Sequence, residues 1–420
     1  MNAGTASLLA LLAAIVIGYI SKKNIGIISI GFALIIAEIY GISVKQLNSG
    51  FSTSLAMSMI GVTYLFGVVR SNGALEKVAN RLVHIAGDRK WMLYIIMYLL
   101  GFFLCAVGPG AIPVLAIIPV LAVPLALSAG ANPVLLSLIG QIGVQSARMS
   151  PITPEAVVVQ DLMNVQGIEG STIPLMVCLI VTEWVLIVAC CFIFRGGNIK
   201  SELAIDMSNY QDEPLTGQNW IALLGMLFMI VMVLAFKWNV GYTSFLVGSF
   251  LVVIRVGHEK ESLKYIPLNT ILLILGVGIL MNIVKISGGL EIMASSLSMV
   301  MNDVTAAPVM VIFAGFMSFF TSGLGVVFPT LIPIAGALSD QIGANAVELV
   351  AMVVIGGTVT GFSPVSTAGA LIMASVSQYE EVAAKFKPRY LFVKLFMVAI
   401  VAMIISAIFA ILPVYSFICR

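Results

Sequence analysis

Long apolar stretches, separated by short polar segments, make up most of the chain. A helix needs about 20 apolar residues to cross a bilayer, and ten stretches are close to or above that length. The predicted spans are 5–21, 25–43, 52–69, 132–163, 171–194, 220–236, 238–254, 267–284, 345–376 and 391–413. Two further apolar stretches, 91–127 and 307–340, are interrupted by glycine and proline and are predicted to be re-entrant hairpins. The pattern predicts an all-α integral membrane protein.

Composition supports this class and argues against several others. Of 420 residues, 60% are hydrophobic and 10% are charged, whereas a soluble domain carries about 25% charged residues. The net charge of +2 argues against a nucleic-acid partner, and membrane lipid is the expected environment. The sequence contains no nucleophile–base pair, metal-ligand cluster or cofactor motif. We therefore expect neither an enzyme nor a bound cofactor, and a channel or sensor would need pore-lining or signalling features that we do not find.

The distribution of Lys and Arg predicts the orientation in the membrane. With the N-terminus outside, the inner loops carry fifteen of these residues, whereas the outer side carries only Lys45, Lys237, Lys285 and Arg420. Such an excess marks the cytoplasmic side. We predict that both termini lie outside, in a bacterial inner (plasma) membrane.

Two halves of the chain repeat each other. The motif GAN is followed by SP at 150–151 in the first half and at 363–364 in the second, with the same spacing. Equivalent landmarks stay 213 to 215 residues apart. The predicted units are a first repeat, 1–197, a cytoplasmic linker, 198–219, and a second repeat, 220–420. Each repeat holds five spans and one hairpin, and because five is odd, the repeats must have inverted topology, as in secondary transporters.

The candidate site combines two hairpin tips with two broken helices. The prolines of QSARMSPITPEA (145–156) and TGFSPVSTAGA (360–370) interrupt spans, which leaves backbone groups that a cation and an anion could satisfy. The predicted substrate-binding residues are Gly108, Pro109, Gly110, Arg148, Ser150, Thr153, Thr321, Ser322, Gly323, Gly325, Ser363, Ser366 and Thr367. The predicted ion-binding residues are Gly108, Ser150, Pro151, Ser322, Ser363 and Pro364.

Arg148 has two interpretations. An arginine at membrane depth costs about 2.5–3.5 kcal/mol on insertion scales, so it needs a partner or a purpose. It could bind a substrate carboxylate, or it could pair with Glu155 across the break. Its second-half equivalent is Gly361, so the fold itself does not require the charge.

The motifs VTYLFGVVRSNGALE (62–76), CAVGPGAIPVLAIIP (105–119), RMSPITPEA and GFSPVSTAGALIMAS resemble those of the MatC family of malonate and dicarboxylate carriers, which is related to the divalent-anion:sodium symporters. The resemblance runs from about residue 5 to 413. It implies a homodimeric elevator-type carrier with a static scaffold and a mobile transport domain. The symporters carry Ser-Asn-Thr at both tips, whereas this chain has Pro109-Gly110-Ala111 and Gly323-Leu324-Gly325. Backbone amides and nearby hydroxyls are therefore expected to contribute more to recognition.

Two functions follow as hypotheses. The first is a symporter that imports a small di- or tricarboxylate with sodium, although protons are possible as the coupling ion. The alternative is a cation/proton antiporter or an inorganic-anion transporter of the same superfamily. An antiporter needs a titratable carboxylate, which Glu155 or Glu183 would supply.

Overall fold

The protein is helical throughout the part that the structure describes. The computed structural model describes residues 2–51, 53–74, 77, 90–108, 110–195, 214–266, 268–299, 301–364, 366–377 and 379–419. These residues contain no β-strand, which confirms the predicted all-α class. Most of the predicted linker 198–219 and the tip residue Pro109 lie outside the described residues.

Each half contributes a similar series of helices. The first half contains α1 (Ala3–Ser21), α2 (Ile25–Tyr40), α3 (Val44–Asn48), α4 (Thr53–Ser71), α5 (Lys90–Ala106), α6 (Ala111–Ser128), α7 (Pro133–Ser146), α8 (Pro154–Val165) and α9 (Ile173–Ile193). The second half contains α10 (Gly217–Leu234), α11 (Val240–Val253), α12 (Glu259–Lys264), α13 (Leu268–Ile286), α14 (Gly289–Ser298) and α15 (Ala306–Phe320). It continues with a π-helical turn (Gly323–Val327), α16 (Phe328–Ile342), α17 (Ala346–Val359), a 3₁₀ turn (Thr360–Phe362), α18 (Thr367–Ser377), α19 (Glu380–Lys385), α20 (Pro388–Ile411) and α21 (Val414–Ile418).

Several of these helices could cross a membrane. In the described part of the chain, four are long and apolar enough: Ile173–Ile193, Gly323–Ile342, Ala346–Ser377 and Pro388–Ile411. A pair bent by 83°, Ile271–Ile286 with Gly289–Ser296, would make a fifth. Other apolar helices, such as α2 and α7, fall among the shorter ones of 10–17 residues. The ten crossings and two hairpins stay a prediction.

Asparagine side chains begin equivalent helices in the two halves. Asn24 caps α2 and Asn239 caps α11, and each side-chain oxygen accepts a hydrogen bond from a backbone N–H of the first turn. Asn132 and Asn345 cap α7 and α17 in the same way. An N-cap of this kind stabilises a helix by about 1 kcal/mol. In both halves, the residue just before each of these helices therefore determines where the helix begins.

Close helix contacts also recur between the halves. Gly26 of α2 lies against the backbone of Leu272 and Leu273 in α13, where no side chain would fit. Glycine at such a point lets two membrane helices approach closely.

The equivalent contact in the other direction joins α11 to α4. Gly241 lies against the backbone of Met57 and Ser58. Positions 57, 58 and 241 are each 215 residues from positions 272, 273 and 26, so exchanging the halves maps one contact onto the other. The repeat predicted from the sequence is therefore visible in the packing, although its orientation in the membrane stays a prediction.

The same equivalence holds within each half. Gly143 of α7 packs on the backbone of Tyr98 in α5, and Gly356 of α17 packs on the backbone of Val311 in α15.

Equivalent contacts also join the two halves: α6 of the first half packs on α18, and α16 of the second half packs on α8. The second arm of each hairpin thus contacts the broken helix of the opposite half.

Replacing Gly26 or Gly241 with leucine should destabilise the protein to a similar extent. Each substitution forces a side chain into a helix contact with no room for it, and overpacking typically costs about 1–3 kcal/mol. Thermal unfolding of the purified protein would measure the effect. Gly31→Leu is the matched control, because Gly31 is an exposed glycine of α2 with open space around its Cα. Tolerance of leucine at position 241 but not at 26 would contradict the equivalence.

Candidate functional site

The first broken helix is interrupted where the prolines predict. Helix α7 ends at Ser146, and α8 restarts at Pro154 with Thr153 as its N-cap. The Thr153 hydroxyl accepts from Ala156 N at 3.2 Å and lies 2.7 Å from the carbonyl oxygen of Arg148 and 2.9 Å from that of Ser150. Thr153 therefore stabilises the turn between α7 and α8, and all the hydrogen bonds of its hydroxyl group are made within that turn.

Two hydrogen bonds join the tip of the first hairpin to the break between α7 and α8. The Ser150 hydroxyl donates to the carbonyl of Ala106, at the end of α5, at 2.9 Å. On the other arm, Ala111 N donates to Glu155 Oε1 at 2.7 Å. A carboxylate at a helix N-terminus is favoured by the helix dipole. Glu155 thus caps α6, and Gly110 precedes that helix with a φ of +77°.

Arg148 faces the second half of the chain. Its side chain is only 7% exposed. Its Nη1 donates to Thr358 Oγ1 at a long 3.4 Å, and its Cζ lies 5.5 Å from the centre of the Phe328 ring. Among the described residues its Nε has no hydrogen-bond partner. Since the Glu155 hydrogen bond goes to the hairpin backbone, the structure does not join Arg148 to Glu155 by a hydrogen bond.

Gln145 and Thr358 mark the place where the two repeats meet. Gln145 Nε2 donates to the carbonyl of Thr358 at 3.4 Å. The two positions are 213 residues apart, the same offset that separates Asn132 from Asn345. Gln145 and Thr358 are therefore equivalent positions of the two predicted repeats and contact each other. We did not predict this pair from the sequence, although the shared offset was the signal that could have found it.

The second broken helix is interrupted in a similar way. Helix α17 ends at Val359, a 3₁₀ turn follows, and α18 starts at Thr367. Ser363 and Pro364 are buried, and Ser366 N donates to the carbonyl of Ser363 at 2.9 Å. Ser366 is half-buried, whereas Thr367 is exposed.

At the second hairpin tip, the side-chain hydroxyls form hydrogen bonds with backbone groups of the tip itself. The Thr321 hydroxyl donates to the carbonyl of Met317 at 2.8 Å, and Ser322 Oγ accepts from Gly325 N at 3.1 Å. Ser322 is exposed, while Gly323 packs against the backbone of Gly357 at the end of α17. The tip therefore reaches the second break through Gly323 rather than through a side chain.

The predicted site residues thus form two groups, each made of one tip and one break. Gly110, Ser150 and Thr153 belong to the first group, together with the buried Gly108. The second group contains the residues of the second tip and second break. The contacts between the described residues do not bring Ser322 or Thr367 to the first group. Arg148 and Gln145 are what connects the first break to the second half.

A cleft opens on the surface between α8, α13, α16 and the turn before α4. It spans about 740 Å³, including space open to the outside, and its lining includes Asp161, Gln166, Asn282, Lys285 and Pro329. Lys285 Nζ donates to the carbonyl of Val165 at 3.3 Å. Arg148, Gln145 and Thr358 are not among its lining residues.

Several buried polar atoms around the junction lack hydrogen-bond partners within the described part of the chain. They are Gln141 Oε1, Gln145 Oε1, Arg148 Nε, Glu155 Oε2 and Thr330 Oγ1. A buried polar atom without a partner costs about 1–3 kcal/mol. Arg148 Nε and the Thr330 hydroxyl can donate to a bound anion, whereas the amide and carboxylate oxygens accept hydrogen bonds and suit a cation or a donor. The described residues contain no group of three His, Cys, Asp or Glu that could hold a metal ion.

Comparisons with known proteins agree with a transporter fold. Residues 1–148 match the family model described as dicarboxylate carrier protein MatC N-terminus, which confirms the resemblance over the first hairpin and up to Arg148. The crystal structure of the YdaH transporter of Alcanivorax borkumensis, reported to have an unusual topology, superposes with a TM-score of 0.57 at 10% identity. The match covers 88% of this chain and 87% of that one. At this identity the likeness concerns the fold alone. No curated protein matches the chain in sequence.

The fold match and the exposed apolar faces of the helices place the chain among multi-pass integral membrane proteins. Leu12 and Ile20 on α1 and Trp184 and Phe192 on α9 are between 57% and 74% exposed. Large apolar side chains at this density on a surface indicate contact with lipid.

Proposed function

We propose that this chain, whose first 148 residues match the N-terminal model of the MatC dicarboxylate carriers, is a secondary active transporter that imports a small dicarboxylate. The observation that carries the proposal is Arg148, a buried guanidinium whose Nε has no partner among the described residues. The buried carboxylate of Glu155 is close enough to act electrostatically on Arg148, but it accepts its hydrogen bond from Ala111 N. Arg148 Nε is therefore left to donate to a substrate carboxylate.

The chemistry around Arg148 favours a carboxylate over other anions of similar size. A guanidinium presents its donors in a planar fork that matches the two oxygens of a carboxylate. The hydroxyl of Thr330, which is buried and has no partner among the described residues, lies on α16 two residues after Phe328 and can donate a further hydrogen bond to a carboxylate. One cation at the proposed site favours a dicarboxylate over a tricarboxylate.

Sodium is the proposed coupling ion. Moving a dianion into a cell against 100 mV, inside negative, costs about 4.6 kcal/mol at about 2.3 kcal/mol per charge. Uphill uptake driven by the membrane potential therefore needs more than two coupled cations. The backbone and hydroxyl oxygens near both breaks are the proposed ligands, at the predicted ion-binding residues named above.

An elevator movement of inverted repeats is also part of the proposal. In the described conformation α8 packs on α4, while the second hairpin, through its π-helical turn and α16, packs on α13. If each element instead made the contacts of its repeat equivalent, α18 would pack on α13 and the first hairpin would pack on α4. Those are the contacts that we propose for the alternate state of the carrier. The helices α1, α2, α4, α10, α11 and α13 would form the scaffold of each subunit of a homodimer.

Thermal unfolding against a panel of carboxylates tests the function directly. A ligand at 100 times its Kd stabilises the folded state by about 2.7 kcal/mol, so the correct dicarboxylate should raise the melting temperature clearly. We expect the shift with malonate, succinate or a relative in sodium, and a much smaller one when choline replaces sodium. A shift that follows sodium or pH alone, with no carboxylate effect, would favour the antiporter. Uptake into proteoliposomes that ignores both sodium and protons would exclude symport.

A further inference from the structure

Glu183 is a carboxyl group in the core of the helix bundle that the proposed site does not use. It lies near the middle of α9, and its side chain is 0% exposed. The buried stripe of α9 is otherwise made of apolar or small residues: Leu175, Cys178, Leu179, Thr182, Leu186 and Cys190. A glutamate therefore occupies a position where packing alone would place a leucine.

Neither carboxyl oxygen of Glu183 has a hydrogen-bond partner in the described part of the chain. The nearby ionisable groups are the phenols of Tyr98 and Tyr415 and the thiol of Cys190. Each of these is neutral or becomes negative on ionisation. None can compensate a glutamate anion.

Within the described part of the chain, the helices that contact α9, including α5 through Tyr98 and Trp184, bring no positive charge close to Glu183. Helix α7 has no ionisable residue, and α17 and α21 contribute Glu348 and Tyr415. The cations of α20 are Arg389 and Lys394. Lys394 Nζ donates to the carbonyl of Ile193 at 3.1 Å, which is ten residues from Glu183, or about 15 Å along the helix.

An isolated carboxylate in such surroundings is strongly unfavourable, whereas the neutral acid is tolerated. We propose that Glu183 is a proton-binding site of the transport cycle. Its carboxyl group holds one proton while α9 is packed as described, and it releases that proton only when the packing around α9 opens to water. The ligand of this site is the proton itself, separate from the sodium proposed at the breaks.

The position of α9 links the proton to the substrate site. Helix α9 packs on both α7 and α17, which carry Gln145 and Thr358 at the junction of the repeats. An ionised Glu183 would disturb both contacts, because it needs water or a displaced helix. Proton binding and the arrangement of the two breaks are therefore coupled, and each must influence the other. The coupling to transport rests on the proposed function, whereas the binding of the proton does not.

The pH dependence of thermal stability, measured without carboxylate, tests the proton site by itself. If folding retains one proton that the unfolded chain loses, the folding equilibrium falls by up to tenfold for each pH unit as pH rises. Glu183→Gln should lose this component, and Glu183→Asp should keep it. Glu169→Gln is the matched control, because Glu169 is exposed. Identical pH profiles for the wild type and Glu183→Gln would overturn the proposal.

Proteoliposomes containing a pH-sensitive dye test the coupling. In the wild type, carboxylate uptake should move protons with the substrate. In Glu183→Gln, uptake should continue without that proton movement. Equal proton movement in both proteins would show that Glu183 is not the coupled group. If no carboxylate is transported at all, the proposed function fails, while the substrate-free measurement still decides whether Glu183 binds a proton.

Discussion

Arg148→Ala should weaken carboxylate binding by about 30-fold to a few thousandfold. Truncating one partner of a buried charge pair costs about 2–5 kcal/mol, and each 1.4 kcal/mol corresponds to about tenfold in affinity. The substitution also leaves the buried Glu155 without the charge of Arg148, so the melting temperature without substrate should fall as well, and affinity is compared at a temperature at which both proteins are folded. Titration of the purified protein with the best dicarboxylate from the thermal panel would measure the loss.

Two further variants make this result specific. Arg148→Lys keeps the charge but loses the planar fork, so its affinity should lie between those of the wild type and Arg148→Ala. Arg195→Ala removes an exposed arginine just after α9 and should bind as the wild type does. Unchanged affinity in Arg148→Ala would assign that residue to packing against Thr358 and Phe328 instead of to the substrate.

Gly110→Ala should both destabilise the protein and abolish uptake. Gly110 has φ +77° and ψ −176°, a conformation essentially limited to glycine, and a residue with a Cβ held there costs about 1–3 kcal/mol. A Cβ at this position would also collide with the Glu155 carboxylate. Displacing that carboxylate breaks its hydrogen bond to Ala111 N, and bonds to charged groups contribute about 1.5–3 kcal/mol each. The thermal midpoint and the uptake rate of the same preparation would measure both effects.

Gly343→Ala separates the two costs. Gly343 also has a positive φ, +71°, but its ψ of 17° puts it in the left-handed α region, where a Cβ costs about 1–2 kcal/mol, and nothing lies within 4 Å of a Cβ built there. Gly343→Ala should therefore lower the melting temperature less than Gly110→Ala does, with uptake retained. Shortening Glu155 in the double variant Gly110→Ala/Glu155→Ala should relieve the collision without restoring the cap of α6. If Gly110→Ala and Gly343→Ala lower the melting temperature by the same amount, the contact between Gly110 and Glu155 does not contribute to stability.

Proline and glycine made the breaks and tips predictable from the sequence. Both residue types act on the backbone at their own position, whatever surrounds them. Pro154 restarts a helix, and glycines sit at both hairpin tips, as predicted. The offset between the halves was equally readable, because repeats preserve the spacing of such residues.

The partners of Arg148 could not be read in this way. Glu155 is seven residues away in the sequence, but the turn between α7 and α8 directs its carboxyl group to the hairpin backbone at Ala111. Thr358 and Phe328, which lie beside Arg148, come from the other half of the chain. Neither had a local pattern that distinguished it from its apolar neighbours.

The sequence by itself determined the helical class, the apolar surface, the two broken helices and the repeat, because each depends on residue type and spacing along one segment. Only the tertiary structure decided which half faces Arg148, that Gln145 contacts its own repeat equivalent at Thr358, and that Glu183 has no partner among the described residues. These features depend on how helices that are distant in the sequence pack together, as for Arg148 and Phe328. Such contacts are decided in three dimensions, and only the contact between Gln145 and Thr358 left a signal in the sequence, the shared offset of 213 residues.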